Sequence, residues 1–351
     1  MVRRSVLAMF AVTAMVLGGV VVSTPAGAVV DSAVVIPSPN VAGDNGLNAV
    51  SCVSALECVA VGSTSTGSAT ETLAMVWNGS VWSIVPSPNA SIGDQLLSVS
   101  CVSVSSCVAV GNTLTGSLRR TLAMVWNGSV WSVVPSPNAG TITNELSSVS
   151  CVSASECVAV GFTDTGSVYA TLVMVWDGTV WSVVPSPNAG TTDDTLTSLS
   201  CVSVSECVAV GYTDTGSVYA TLTMVWNGSV WSIVAGPNVG NVENRLYSVS
   251  CVSVSQCVAV GSTDTGSATE TLTMVWNGSV WSVVPSPNAG TVDDALFSVS
   301  CGSASECVAV GSTDTGNNVR ETLVVSLTGP VSPSTTTTTV ASDQVVPAFT
   351  G

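Results

Sequence analysis

Histidine and lysine are both absent from this 351-residue chain, and six arginines face 22 acidic residues. Without histidine there is no Ser-His-Asp or Cys-His nucleophile and no imidazole set for a copper centre. Without a basic patch there is nothing to neutralise phosphates, so nucleic acid is excluded as a partner. Adhesion to anionic lipid is excluded for the same reason. Long hydrophobic runs are missing after the first 22 residues, so the mature chain has no segment able to span a bilayer. The opening segment itself reads as a processing signal. Arg3 and Arg4 precede the apolar run Val6 to Val22, and Ala26-Gly27-Ala28 forms a cleavage site. Arg3-Arg4-Ser5-Val6-Leu7 also fits the twin-arginine pattern loosely. Residues 1–28 are therefore expected to be a signal peptide, and their removal takes the net charge from −16 to −18.

What the chain does have is repetition. Twelve cysteines fall into six pairs within the frame C-x5-C-V-A-V-G, or close to it, and the first cysteines stand 49, 50, 50, 50 and 50 residues apart. A period near 50 with strand-like content signals a propeller or array. Local pairs in an exported chain read as disulfides: Cys52–Cys58, Cys101–Cys107, Cys151–Cys157, Cys201–Cys207, Cys251–Cys257 and Cys301–Cys307. Zinc is the weaker reading, because each pair stands alone and no histidine completes a site.

The third copy, Leu146 to Asn188, shows the unit. Leu146–Cys151 and Cys157–Gly161 read as two strands stapled at the base of their hairpin. A Gly/Thr/Asp-rich loop is expected from Phe162 to Tyr169. Thr171–Trp176 and Val180–Val184 then flank Asp177-Gly178, which is Asn-Gly in four other copies. Asn-Gly or Asp-Gly between alternating apolar runs predicts a two-residue hairpin turn. That turn would set Met75 opposite Trp82, on the face that also holds Trp77. Asn-Gly-Ser is also a glycosylation sequon, but Asp177 fills the same place and carries no N-glycan. Pro185 and Pro187 end the fourth strand.

Each copy is thus expected to be a four-stranded antiparallel meander, and six of them to form an all-β, six-bladed β-propeller over residues 29–329. A solenoid would lack the hairpin turns, and a sandwich leaves the regular period unexplained. The sixth copy lacks a fourth strand, and Asp31 to Asn40 resembles the missing piece. Pairing Ser32–Ile36 with Leu323–Leu327 would close the ring and remove its exposed edges. The Met-Trp-Trp trio of five copies reads as a wedge between blades rather than as sugar-stacking aromatics.

The block L-x-x-V-S-C-x-S-x-x-x-C-V-A-V-G…T-L-x-M-V-W-N-G-x-x-W-S-V-V-P-S-P-N resembles secreted β-propeller repeats of actinobacterial-type exported proteins. These are distantly similar to Kelch and bacterial-neuraminidase-repeat propellers. The resemblance implies an architecture; it assigns no activity, since such propellers host enzymes and binding platforms alike. Ser262–Gly266 resembles the start of an Asp-box, but no aromatic follows at the expected place, and it lies between the second and third strands rather than at the third-to-fourth turn.

No enzyme is expected. Four mature arginines, two of them adjacent, are too few for a sialidase carboxylate cluster, and no acidic residue breaks the repeat as a grafted glycosidase pair would. Charge is unevenly placed instead. The loops between second and third strands and the connections between copies hold 15 of the 22 acidic residues and all four mature arginines, a net of −11 on one rim. Seven residues before each first cysteine, or close to it, stands Asn45, Asp94, Asn144, Asp194, Asn244 or Asp294. These read as turn caps; the alternative is a cation site, with calcium on Asp94, Asp194 and Asp294. The same loops carry most differences between copies, so ligand contacts are expected from these six and from Arg119, Arg120, Tyr169, Tyr219 and Arg245.

Residues 330–351 are Thr/Ser/Pro-rich and read as an extended stalk, open to O-glycosylation. Pro347-Ala348-Phe349-Thr350-Gly351 resembles a cell-wall sorting motif without the hydrophobic stretch and basic tail that should follow. Either the frame is truncated or the likeness is chance. The expectation is an exported, monomeric, non-enzymatic binding module, secreted or attached to the cell wall, with an extracellular protein or glycan as partner. The rival is a glycan-binding or glycan-hydrolysing propeller of the neuraminidase-repeat type.

Overall fold

The computed structural model describes residues 36–239, 242–290, 292–303, 305–314, 316 and 320–328. The expected signal peptide, the expected stalk and residues Ser32 to Val35 of the expected closing strand lie outside them, and Ile36, the described residue of that segment, belongs to no strand. The described residues form strands and loops, with no helix among them.

Each repeat folds as expected into one antiparallel sheet, here called a blade. Blade I is β1 (Asp44–Ser54), β2 (Glu57–Ser65), β3 (Thr70–Trp77) and β4 (Trp82–Val85). Blade II is β5 (Gln95–Ser103), β6 (Ser106–Thr115), β7 (Leu118–Trp126) and β8 (Trp131–Val134). Blade III is β9 (Asn144–Ser153), β10 (Glu156–Asp164), β11 (Tyr169–Trp176) and β12 (Trp181–Val184). Blade IV is β13 (Asp194–Ser203), β14 (Glu206–Asp214), β15 (Tyr219–Trp226) and β16 (Trp231–Ile233). Blade V is β17 (Glu243–Ser253), β18 (Gln256–Asp264), β19 (Thr269–Trp276) and β20 (Trp281–Val284). Blade VI has three described strands, β21 (Asp293–Ser303), β22 (Glu306–Asp314) and β23 (Arg320–Thr328).

The first two strands of each blade are joined by a tight turn and stapled by its disulfide. Cys151 lies opposite Cys157, and the Cα atoms of all six pairs are 4.0 Å apart. The glycine that ends C-V-A-V-G has a separate task. Pairing slips by one residue between Gly161↔Leu146 and Val160↔Ser148, a bulge that brings the backbone of the first strand hard against the second. A Cβ on Gly161 would stand 2.0 Å from the Glu145 carbonyl oxygen, so no side chain fits.

Two expectations about loops need correction. The hairpin between third and fourth strands is a four-residue loop, not a two-residue turn: Trp77 pairs with Trp82 and Met75 with Ile84. Gly79 takes positive φ (88°), and Asn78 Oδ1 closes the loop by accepting from the N–H groups of Ser80 and Val81, each at 3.0 Å. The asparagine is there for that bond, and Asp177 makes the same bonds at 2.8 Å. The stretch Phe162 to Tyr169 is also mostly strand. Phe162–Asp164 and Tyr169 belong to β10 and β11, and only Thr165–Val168 is loop.

First strands stand side by side at one edge of successive blades, where the N–H groups that face the preceding blade need acceptors. Serine hydroxyls supply them. Cys151 N–H donates to Ser100 Oγ (3.0 Å), Val149 to Ser98 (3.1 Å), Cys201 to Ser150 (3.1 Å) and Leu199 to Ser148 (3.2 Å), and the series continues to blade VI. The S-V-S-C and S-L-S-C segments are therefore rungs between sheets. Ser100→Ala should lower the unfolding free energy by about 1 kcal/mol in a chemical melt, since it orphans a half-buried N–H.

Apolar faces complete each junction. Val108, Val110 and Ala123 of blade II pack on Leu146, Val149, Met174, Trp176 and Trp181 of blade III, and four more junctions repeat the arrangement. The Met-Trp-Trp trio is thus a wedge. Its rings meet at 5.6 Å in blade III, and Trp176 Nε1 donates to the Ala154 carbonyl. The two ends of the run differ. Val310 and Val324 of blade VI are 44% and 67% exposed, whereas Val110, Val160, Val210 and Val260 are at 0%. On blade I, Leu47 and Val50 are 45% and 59% exposed, against 0% and 7% for Leu96 and Val99. Among the described residues neither face has a neighbouring blade.

Candidate functional site

The loops that vary between copies gather at one end of the blades. Single parallel bridges link the start of a third strand to the connection that opens the next blade: Thr70↔Gly93, Arg119↔Thr143, Tyr219↔Glu243 and Thr269↔Asp293. Backbone bonds reinforce them, as from Asp214 N–H to the Asp193 carbonyl (2.7 Å). Asp164, Asp214, Asp264 and Asp314 each accept from the glycine N–H two residues on, at 2.7 to 2.8 Å, which shapes the hairpin tips.

The six Asx residues do not converge on one point. Each closes its own connection. Asn144 accepts from Gly140 N–H (2.8 Å) and from the Thr163 hydroxyl (2.8 Å), Asn244 from Val239 N–H (2.7 Å), and Asp294 from Gly290 N–H (3.1 Å). Asp94 accepts from Ala90 and Ser91, Asp194 from Ala189 (3.1 Å), and Asn45 from Val41 (3.1 Å). Asp94, Asn144, Asp194, Asn244 and Asp294 are buried. Burial raises the pKa of Asp194, against the lowering effect of the Thr213 hydroxyl and the Gly190 and Ala189 N–H groups. Among the described residues no group of three or more His, Cys, Asp or Glu is placed to hold a metal ion. On Asp94 and Asp194 the loop bonds go to Oδ2, and Oδ1 of each is buried without a hydrogen-bond partner.

Three junctions carry a recurrent three-residue constellation. One residue comes from each of the second and third strands of a blade, and a third arrives from the first strand of the next. At the II/III junction, Glu145 accepts from Arg119 Nη1 at 2.7 Å and from Asn112 Nδ2 at 3.1 Å. Burial pushes the Glu145 carboxyl up, and the Arg119 charge beside it pulls the other way. At the IV/V junction, Tyr212 and Tyr219 meet edge to face at 5.4 Å, and the Arg245 guanidinium lies 4.1 Å from the Tyr219 ring centre and 5.1 Å from that of Tyr212. Burial raises the Tyr212 pKa, partly offset by Arg245. At the III/IV junction, Phe162 and Tyr169 meet at 5.1 Å, and the residue that arrives is Thr195. Arg120 stands apart and donates to the Gly140 carbonyl at 3.3 Å.

Of the residues expected from sequence, Arg119, Tyr169, Tyr219 and Arg245 thus fall on one strip across blades II to V. Sequence reasoning missed Phe162, Tyr212 and Glu145 as their partners. The signal was there: all four tyrosines of the chain, Tyr169, Tyr212, Tyr219 and Tyr247, fall on this strip or beside it, and Tyr247 meets Phe297 at 5.7 Å. Reading Phe162 to Tyr169 as loop hid the pairing.

The sequence matches no protein-family model and no curated protein. Solved structures give a likeness of fold. A crystal structure of a protein of unknown function from Dyadobacter fermentans has a TM-score of 0.54 at 8% identity, covering 82% of this chain and 96% of that one. YCF48 bound to D1 peptide is similar at a TM-score of 0.49 and 14% identity, covering 86% of this chain and 88% of that one. YCF48 from Cyanidioschyzon merolae gives 0.46 and 12%, over 79% and 84% of the two chains. The blades and their order are accordingly propeller-like.

Proposed function

We propose that this chain is an exported, non-enzymatic binding module that engages an extracellular partner through its variable loop rim. One observation carries the reading. Junction residues repeat nearly unchanged from blade to blade, while most acidic, arginine and tyrosine variation sits in the loops and strand ends at one end. A rigid scaffold with variable loops at one end is the usual arrangement for recognition. The rim carries a net negative charge, which favours cationic partners and speeds their approach. Six disulfides fit an oxidising compartment. The absence of histidine supports a role without nucleophilic catalysis.

The module is read as a closed six-bladed wheel. Ser32–Ile36 supplies the fourth strand of blade VI, and Val308, Val310 and Val324 then cover Leu47 and Val50 of blade I. Ser298 and Ser300 occupy the positions from which paired serines accept from the next blade at four other junctions, so the closing junction would have the same chemistry as those four.

Charge reversal tests the rim. The mature chain and a variant carrying Glu71→Lys, Glu270→Lys, Asp293→Lys and Glu321→Lys are immobilised and challenged with extracellular protein and glycan fractions. The parent should retain a component that the variant loses, more strongly at low salt than at high. Equal retention by both contradicts the rim as the binding face.

A further inference from the structure

The three matched junctions differ in one respect. Glu145 covers Asn112 and Arg119, and Arg245 covers Tyr212 and Tyr219, but nothing of comparable reach covers Phe162 and Tyr169. The position that supplies Glu145 and Arg245, one residue after the buried Asx cap, holds Thr195 here, and its short side chain is buried beside Tyr212. The result is a cavity of about 380 Å³ between the blade III and blade IV aromatic pairs. Phe162, Tyr169, Tyr212 and Tyr219 line it together with the Asp193 carboxylate. Asp193 Oδ1 accepts from Tyr169 N–H at 2.8 Å, which fixes the carboxylate beside the Tyr169 backbone. Arg119 also borders the cavity, but its charge is matched by Glu145 at 2.7 Å.

We propose that this cavity binds the guanidinium group of an arginine side chain carried by a partner protein. The chain displays the interaction within itself. One blade further on, the Tyr212/Tyr219 pair holds the guanidinium of Arg245 against its rings, and the Phe162/Tyr169 pair has nearly the same spacing with the place of that guanidinium open. Aromatic faces attract a planar cation through their quadrupole, and a fixed carboxylate nearby adds a charge-assisted hydrogen bond. Guanidinium suits the site better than ammonium because it is flat, stacks on rings and is weakly hydrated. The inference deepens the rim reading and rests on it.

The experiment titrates the mature chain by NMR with three probes: Nα-acetyl-arginine amide, its citrulline counterpart, and a tetrapeptide with one central arginine. Citrulline keeps the shape and removes the charge. Both arginine probes should bind at the Tyr169 ring, the peptide more tightly, and the citrulline probe at least tenfold more weakly. Free arginine derivative binding as tightly as the peptide would overturn a protein-borne ligand. Thr195→Arg should abolish binding by filling the cavity from within, as Arg245 does next door. Tyr169→Ala, at a partly exposed position, serves as a second variant and should weaken binding at least tenfold. Equal binding of citrulline and arginine, or no binding, overturns the proposal. Binding that survives both Thr195→Arg and Tyr169→Ala overturns this cavity as the site. In each of these cases the charge-reversal comparison still decides the rim reading separately.

Discussion

Gly161→Ala should lower the unfolding free energy by about 3 kcal/mol or more, a large effect for one methyl group. The reason is distance. The added Cβ would lie 2.0 Å from the Glu145 carbonyl oxygen, 2.9 Å from its carbon and 3.0 Å from Leu146 Cα, all of them backbone atoms that cannot rotate away. Relief requires the bulge between β9 and β10 to open, and that bulge seats Leu146 in the junction with blade II. Overpacking that shifts backbone is costly, and here it also strains the serine rungs. Gly302→Ala is the control: it too lies in a strand, but nothing stands within 4 Å of the place its Cβ would take. Its unfolding free energy in a urea melt should stay within about 0.5 kcal/mol of the parent's. A small effect at Gly161 would mean that the bulge is not tightly packed.

Much of the fold was legible in the sequence because period, cysteine spacing and apolar alternation report the same unit. The Cys151–Cys157 staple, the order of strands and the wedge of Met174, Trp176 and Trp181 all follow from them. Turn geometry was less legible. Asn78-Gly79 fits a two-residue turn and a four-residue loop equally well by composition, and only the bonds of Asn78 Oδ1 to Ser80 and Val81 decide between them. The two differ by two residues in register, so each side chain keeps its face and the error stayed hidden in the pattern. Contacts between blades were least legible of all. That Ser100 accepts from Cys151, about fifty residues on, is invisible to a reading confined to one repeat.

The candidate site shows the same limit. Tyr169, Tyr219, Arg119 and Arg245 stood out because they break the repeat. Their partners follow from blade packing: Thr195 and Glu145 matter only because the first strand of each blade passes over the hairpin of the one before. The buried Asx residues illustrate the converse. Their regular spacing suggests a shared ring, yet Asn144 and its counterparts each serve a local loop. Positions that repeat without change are structural here, and the departures from repeat mark the place where recognition is proposed.

The proposed wheel requires blade VI to meet blade I, and Val310→Arg tests that most directly. Val310 is 44% exposed among the described residues, while Val210 at the matching place in blade IV is at 0%. In a closed wheel Val310 faces Leu47 and Val50, so an arginine there buries an unpaired charge, which neutralisation or local opening relieves only at the expense of the junction. The expected result is a loss of about 3 kcal/mol or more in a urea melt, comparable to Val210→Arg in the same background. A Val310→Arg chain as stable as the parent, beside a Val210→Arg chain that is severely destabilised, would contradict closure.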